Sequence, residues 1–205
     1  MFVPAVGLAI LLLAAACGTS GRTMQAPTAG ATDPPRRADA TTTSAPASAN
    51  TLAPTTLFTV TSADFAPGGL IPKTATCDGE GVAPAFNWVN VPPGTVELAL
   101  TVTDPDADNF VHWVVAGIPV AATAIVPGGL PDGTVQLASG AGTNTYAPLC
   151  PPAGETHTYD FTLYALTAPS GLTAASPTKD ALISLASTAA GTAVLTGDYT
   201  SAKAS

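Results

Sequence analysis

The sequence predicts a mainly β domain, an antiparallel β-sandwich with one peripheral helix near the C-terminus. Three observations carry that expectation. From Leu57 onward, short strand-like runs are separated by proline-glycine turns, and one of these runs keeps a two-residue apolar period. Only one late segment has helical spacing. The 205 residues include 19 glycines and 20 prolines, an excess over ordinary usage that suits a chain of many turns.

The elements follow in chain order. Residues 8–16 form an apolar run (LAILLLAAA) that ends at Cys17. The run is too short to span a bilayer and has the length of a signal-peptide core. Small residues just before a cysteine follow the pattern of a bacterial lipoprotein signal, in which that cysteine is lipidated and becomes the first residue of the mature chain. The expectation is a signal peptide over residues 1–16 and lipidation at Cys17, against a plain secretory signal or an uncleaved anchor. Residues 17–54 are built from Thr, Ala, Pro, Ser and Gly, with Met24 and Leu52 as the large aliphatics. Such a stretch buries too little surface to offset chain entropy, so it is expected to be a disordered tether. The address implied is the extracytoplasmic face of a cell membrane, held by lipid alone, with secretion as the alternative.

The folded domain is expected over residues 55–205. Its first strand candidate is 58–61, followed by the turn Pro67-Gly68-Gly69. Val96, Leu98, Leu100 and Val102 then alternate with Glu97, Ala99, Thr101 and Thr103, the pattern of a half-buried strand. Residues 111–118 are continuously apolar apart from His112, and 134–138 form a shorter candidate. Residues 157–166 (HTYDFTLYAL) are rich in aromatic residues and Thr, as strands are. Residues 178–190 place Ala181, Leu182, Leu185 and Ala189 at helical spacing. Ser176 or Thr178 can cap this helix, Asp180 suits its first turn and Gly191 stops it. Residues 193–196 close the domain as a last short strand.

Charge excludes several partners. Only 10% of residues are charged and the formal net charge is −8. From residue 55 onward three lysines (Lys73, Lys179, Lys203) face twelve acids, so no basic stripe can form. Nucleic acid and electrostatic attachment to anionic lipid are therefore not expected. Of the three cysteines, Cys77 and Cys150 remain once Cys17 is set aside, an even pair in an exported chain that favours a disulfide. Two separate buried thiols are the other reading, and the sequence supplies no distance to choose between them. There is no G-x-S-x-G elbow, no phosphate loop, no dinucleotide fingerprint and no H-x-x-x-H. No enzyme, metal or cofactor is expected.

Strand parity points to candidate site residues. The inward side that carries Val96, Leu98, Leu100 and Val102 continues in register to Asp104 and Asp106, which would bring two carboxylates to the core face if the extended geometry persists. His157, Tyr159, Phe161 and Leu163 share a face, and His112 opens the second run. Each has an ordinary structural reading: a satisfied strand histidine, or an Asp-Pro-Asp turn whose side chains bond nearby backbone N–H groups.

Taken together, the residues say more. Thr76-Cys77-Asp78-Gly79, Asp104-Pro105-Asp106-Ala107, Val111-His112-Trp113-Val114-Val115 and Cys150-Pro151-Pro152 with His157 and Tyr159 occur in that order. This set resembles the phosphatidylethanolamine-binding protein family, in its bacterial Raf-kinase-inhibitor-like branch, from about residue 58 to 199. Phe86-Asn87-Trp88, Val91-Pro92-Pro93-Gly94-Thr95, Gly117-Ile118-Pro119 and Leu163-Tyr164-Ala165-Leu166 extend it. The resemblance implies a β-sandwich of that family's type with a small pocket for phosphate- or carboxylate-bearing ligands or a phospholipid head group. Its wall would include Asp104, Asp106, His112, His157 and Tyr159, with the loop around Cys150, Pro151 and Pro152 as a rim. Imidazoles, the phenol and loop N–H groups other than those of the prolines could donate to an anion. Trp88 and Trp113 would pack the core. An extracytoplasmic regulator acting on a protein partner, such as a protease or kinase inhibitor-like protein, is the alternative function. The sequence departs from the family pattern at Ala147-Pro148-Leu149, where Gly-Gly-Pro is usual, and at Asp108, Thr158 and Thr192, where Pro, Arg and His are common. Each departure is expected to weaken phosphate binding.

Overall fold

The computed structural model describes residues 56–202, so the expected signal peptide, Cys17 and the tether lie outside the described residues. In chain order the strands are β1 (Thr59–Thr61), β2 (Gly69–Leu70), β3 (Phe86–Val89), β4 (Glu97–Asp104), β5 (Phe110–Pro119), β6 (Ala124–Ile125), β7 (Val135–Gln136) and β8 (Thr156–Leu166). The helix α1 (Thr178–Thr188) and the last strand, β9 (Ala189–Thr200), follow. They form two sheets, a small one of order β1-β3-β6 and a large one of order β2-β9-β8-β4-β5-β7. Every neighbouring pair is antiparallel except β2 with β9. The chain is mainly β, with two sheets and one short helix near its C-terminus.

The core lies between the sheets. Phe86 and Trp88 project from β3 toward Leu98, Leu100 and Val102 of β4 and Phe161 and Leu163 of β8, all buried. Phe161 sits at the centre, with ring centroids 5.2 Å from Phe86 and 5.4 Å from Phe65. Full burial of side chains of this size stabilises by roughly 1.5–3 kcal/mol each.

A second apolar layer lies on the other face of the large sheet, where Ala181 and Leu185 of α1 join Ala99, Val114, Ala116, Leu137 and Leu166. This layer corrects the expectation of a half-buried β4: Ala99 and Thr101 are as buried as Leu98 and Leu100, because the helix side covers them. Val96, expected to point inward, lies before the strand and is 51% exposed.

Element ends also differ from expectation. Residues 58–61 and 134–138 shrink to β1 and β7, while Phe86–Val89 forms a strand whose four residues are too few to show a period. The helix stops at Thr188 and not at Gly191, and the last strand runs for 12 residues rather than over 193–196. Its ladder with β8 begins where Ala189 pairs with Leu166. Tertiary pairing thus overrides the helical preference of Ala189 and Ala190. Neither proposed cap acts as one: Pro177 occupies the N-cap position, Thr178 Oγ1 donates to the Ala138 carbonyl at 2.5 Å, and Ser176 Oγ accepts from the Thr173 N–H.

Candidate functional site

Three local features bring distant residues to one end of the large sheet. The first is a break in register between β4 and β5. Val102 pairs with Trp113 and Thr103 with Val111, so His112 is the extra residue of a β-bulge. The bulge lets consecutive residues serve the sandwich side: Trp113 joins the core between the sheets, and His112 lines a cavity beside it. The second is a 3-10 turn over Pro105–Ala107. Asp104 caps it, its Oδ1 accepting the Asp106 N–H at 3.0 Å. The extended geometry therefore ends at Asp104, and Asp106 is not in register with it, contrary to the parity expectation. Asp106 instead reaches across to β8, its Oδ2 accepting the Thr158 N–H at 2.8 Å.

The third feature is β8 itself, where the two-residue period puts His157 and Tyr159 on one face. His157 Nδ1 lies 2.7 Å from Asp104 Oδ2. His112 Nδ1 lies 3.0 Å from the Ala147 carbonyl, and the Ala147 N–H donates back to the His112 carbonyl at 2.8 Å. A carbonyl can only accept, so Nδ1 of His112 carries the proton and Nε2 of the neutral ring presents a lone pair.

Asp104, Asp106, His112, Cys150 and His157 line one cavity of about 530 Å³. Two expected site residues do not. Tyr159 is fully buried behind the histidines, its ring edge-on to His112 at 5.4 Å. Pro151 is buried, and its neighbour Pro152 lines the cavity instead. Phe110 and Glu155 also contribute and were not anticipated. Glu155 stands two positions before His157, so its place was readable from the same period, whereas Phe110 is reached across the bulge, which leaves no mark in the sequence.

The surroundings push the two imidazoles in opposite directions. Burial pushes the pKa of His112 down, and this outweighs its bond to the Ala147 carbonyl and the field of Asp104. Burial also opposes charge on His157, but there the hydrogen bond to Asp104 and the charges of Asp104, Asp106 and Glu155 prevail and raise its pKa. The hydroxyl of Tyr159 is buried close to the Asp104 carboxyl group. Burial, and after it the Asp104 carboxylate, holds it protonated well above the usual tyrosine range. Three carboxyl groups surround the cavity, with one imidazole whose charged form is favoured and one whose neutral form is favoured. Among the described residues no group of three or more His, Cys, Asp and Glu is placed to hold a metal ion.

A disulfide joins Cys77 to Cys150, with Cα atoms 5.3 Å apart. It ties the segment 146–150 to the segment 75–77, together with the Cys77 N–H to the Leu149 carbonyl, the Leu149 N–H to the Ala75 carbonyl and the Tyr146 hydroxyl to the same Ala75 carbonyl. The departures from the family pattern can now be placed. The N–H groups of Ala147 and Leu149 are engaged within the protein and Pro148 has none, so residues 147–149 offer a ligand no N–H donor. Asp108 lies outside the lining, Thr158 Oγ1 donates to Asp198, and Thr192 is exposed opposite Tyr164 near the other end of the sheet.

The family model of the phosphatidylethanolamine-binding protein matches residues 61–200. The chain belongs to the phosphatidylethanolamine-binding protein family. Its curated relatives include LppC of Mycobacterium tuberculosis, a protein named as a lipoprotein. It is 36% identical over 196 residues, covering 94% of this chain and 92% of LppC. A UPF0098 protein of Methanothermobacter thermautotrophicus is 41% identical over 138 residues, covering 64% of this chain and 91% of its own. Among solved structures, YbcL of Escherichia coli, described as a member of the mammalian family, superposes with a TM-score of 0.67 at 28% identity, covering 71% of this chain and 99% of YbcL. A family homologue from Chlamydia trachomatis gives 0.66 at 29% identity, covering 71% of this chain and 98% of its own.

Proposed function

We propose that this is an exported, membrane-anchored lipoprotein whose domain captures a small phosphate- or carboxylate-bearing group, such as a phospholipid head, without chemical turnover. The observation that carries the binding reading is His157, held by Asp104 through Nδ1 and bordering the cavity with its other nitrogen. That nitrogen, Nε2, is 3.8 Å from Glu155 Oε2, too far for a direct hydrogen bond, so its N–H is a donor left for a ligand. The carboxylates nearby disfavour a dianion. The lone pair of His112 Nε2 can accept a proton from the ligand, so the pocket suits a singly charged group better. Among the described residues the cavity lining has no hydroxyl or amine, and its one cysteine is tied in a disulfide, which supports binding rather than catalysis through a serine, lysine or thiol nucleophile.

The anchoring part rests on Cys17 and on likeness to LppC. A match across 94% of the chain extends beyond the folded domain into the N-terminal segment. No helix among the described residues is long and apolar enough to cross a membrane.

Calorimetric titration with diethyl phosphate and glycerophosphoethanolamine, phosphodiesters whose phosphate carries one negative charge across the whole pH range, tests the pocket. Affinity should fall as pH rises through the pKa of His157, and His157→Ala should lose about 1–3 kcal/mol, the range for a charge-assisted hydrogen bond. Equal binding by His157→Ala at every pH overturns this reading. Cys17→Ser should move the protein from the membrane fraction to the soluble one, since acyl chains contribute about 0.8 kcal/mol per buried CH₂. Unchanged fractionation overturns the anchor.

A further inference from the structure

A second cavity, of about 430 Å³, opens on the other side of the segment that walls the first. Ala147 and Pro148 line the first cavity, and Thr145 and Tyr146 line the second. The bulge divides β5 in the same way, with His112 serving one cavity and Trp113 the other. The Trp113 and Tyr146 rings meet edge to face at 5.6 Å and 82°. Leu130 and the glycine-bearing stretches at Gly81 and Gly128-Gly129 complete the lining. The volume lies within the range of small-molecule sites.

Two features select a ligand chemistry. No Asp, Glu, Lys, Arg or His lines this cavity. The Tyr146 hydroxyl donates to the Ala75 carbonyl and stays protonated because it is buried. A charged guest would therefore lose water without gaining a counter-ion. The second feature is Gln136. The indole N–H of Trp113 reaches Gln136 Oε1 at 2.6 Å. An indole can only donate, so the amide oxygen must face it, and the orientation of the amide is settled by chemistry. The Nε2 group then carries two N–H donors that no atom of the described residues takes up, held by a side chain whose other end is already fixed.

We infer that this second cavity is a binding site for an uncharged, flat, largely apolar molecule bearing a carbonyl-type acceptor, which Gln136 Nε2 would bind while Trp113 and Leu130 cover its apolar body. Its two walls are aromatic and aliphatic, its polarity is that of a donor, and none of its lining residues belongs to the histidine cavity.

Benzamide is the probe, followed through the indole N–H cross-peak of Trp113 in the full chain, which has two tryptophans. The expected result is a saturable shift at about millimolar benzamide, the affinity range of a fragment this small. Benzoate and benzylammonium should give no shift, and excess inorganic phosphate should not displace benzamide. Gln136→Glu keeps the oxygen that Trp113 bonds and replaces the two donors by an acceptor. It should weaken benzamide about ten-fold, the loss of one hydrogen bond with an acceptor left unpaired, and admit benzylammonium. Persistence of the indole shift of Trp88, whose N–H donates to the Ala122 carbonyl away from the substitution, confirms in the unliganded variant that its fold is intact. The inference fails if benzamide leaves Trp113 unmoved in the parent protein, if benzoate binds equally well, or if folded Gln136→Glu binds benzamide as the parent does.

Discussion

Replacing Cys77 and Cys150 together by alanine removes a cross-link between residues 73 positions apart. In the chain-entropy treatment, a closed loop of this length restricts the unfolded chain by about 15 cal/mol/K, or about 4.4 kcal/mol at 25 °C. The folded side should change little. The main-chain bonds from Cys77 to Leu149 and from Leu149 to Ala75 remain, as does the Tyr146 hydroxyl on Ala75, so the two segments stay registered without sulfur. The loss should therefore come mainly from the unfolded state. At about 2–4 °C per kcal/mol for a domain of this size, Tm should drop by roughly 9–18 °C. Calorimetry on the folded domain, comparing the oxidised parent with the double alanine variant, measures it. A drop of less than about 3 °C would refute the reasoning, by showing either a compact unfolded state or a native bridge under strain.

The remaining predictions concern charge and packing. Asp104→Asn should lower the pKa of His157, read from its imidazole proton shifts, and an unchanged midpoint would show that Asp104 does not hold the charge. The sign for stability follows from the raised pKa. The contribution of His157 is complete below the unfolded value near 6.5 and is lost as pH rises through the folded value. His112 acts in the opposite sense: its lowered pKa means stability is lost as pH falls below the unfolded value toward the folded one. Gly197→Ala should destabilise by about 1–3 kcal/mol, because a Cβ there would stand 2.6 Å from Phe65 Cε2 and 2.8 Å from Ile71 Cγ1. Urea unfolding with an unchanged midpoint would show that this part of the core yields freely.

What the sequence made legible follows its periodicities. The two-residue period of β8 places His157 and Tyr159 on one face, and they share it. The same parity carried past Val102 reaches Asp104 correctly and then fails at Asp106, where Pro105 and the Asp104 carboxylate build a turn. The ordinary reading of Asp-Pro-Asp as a turn describes the local geometry, yet both carboxylates still line the cavity. Ala99 and Thr101 looked like the wet side of a strand because small and weakly polar residues suit either face. Only α1 packing over them decides the matter. The bulge at His112 depends on which residue of β4 each residue of β5 meets, and a long-range register of that kind is not encoded in any local pattern.

The large sheet ends on one side in Gly69–Leu70 and on the other in Val135–Gln136, and the small sheet is bounded by Thr59–Thr61 and Ala124–Ile125. None of these outermost strands exceeds three residues. A neighbouring copy that approached one of these four short strands edge-on would find at most one or two main-chain partners before the backbone turned away. The formal net charge of −8 adds electrostatic repulsion between copies. The shortness of these borders thus works together with net charge against edge-to-edge pairing, and mutations that lengthen a border strand should harm solubility.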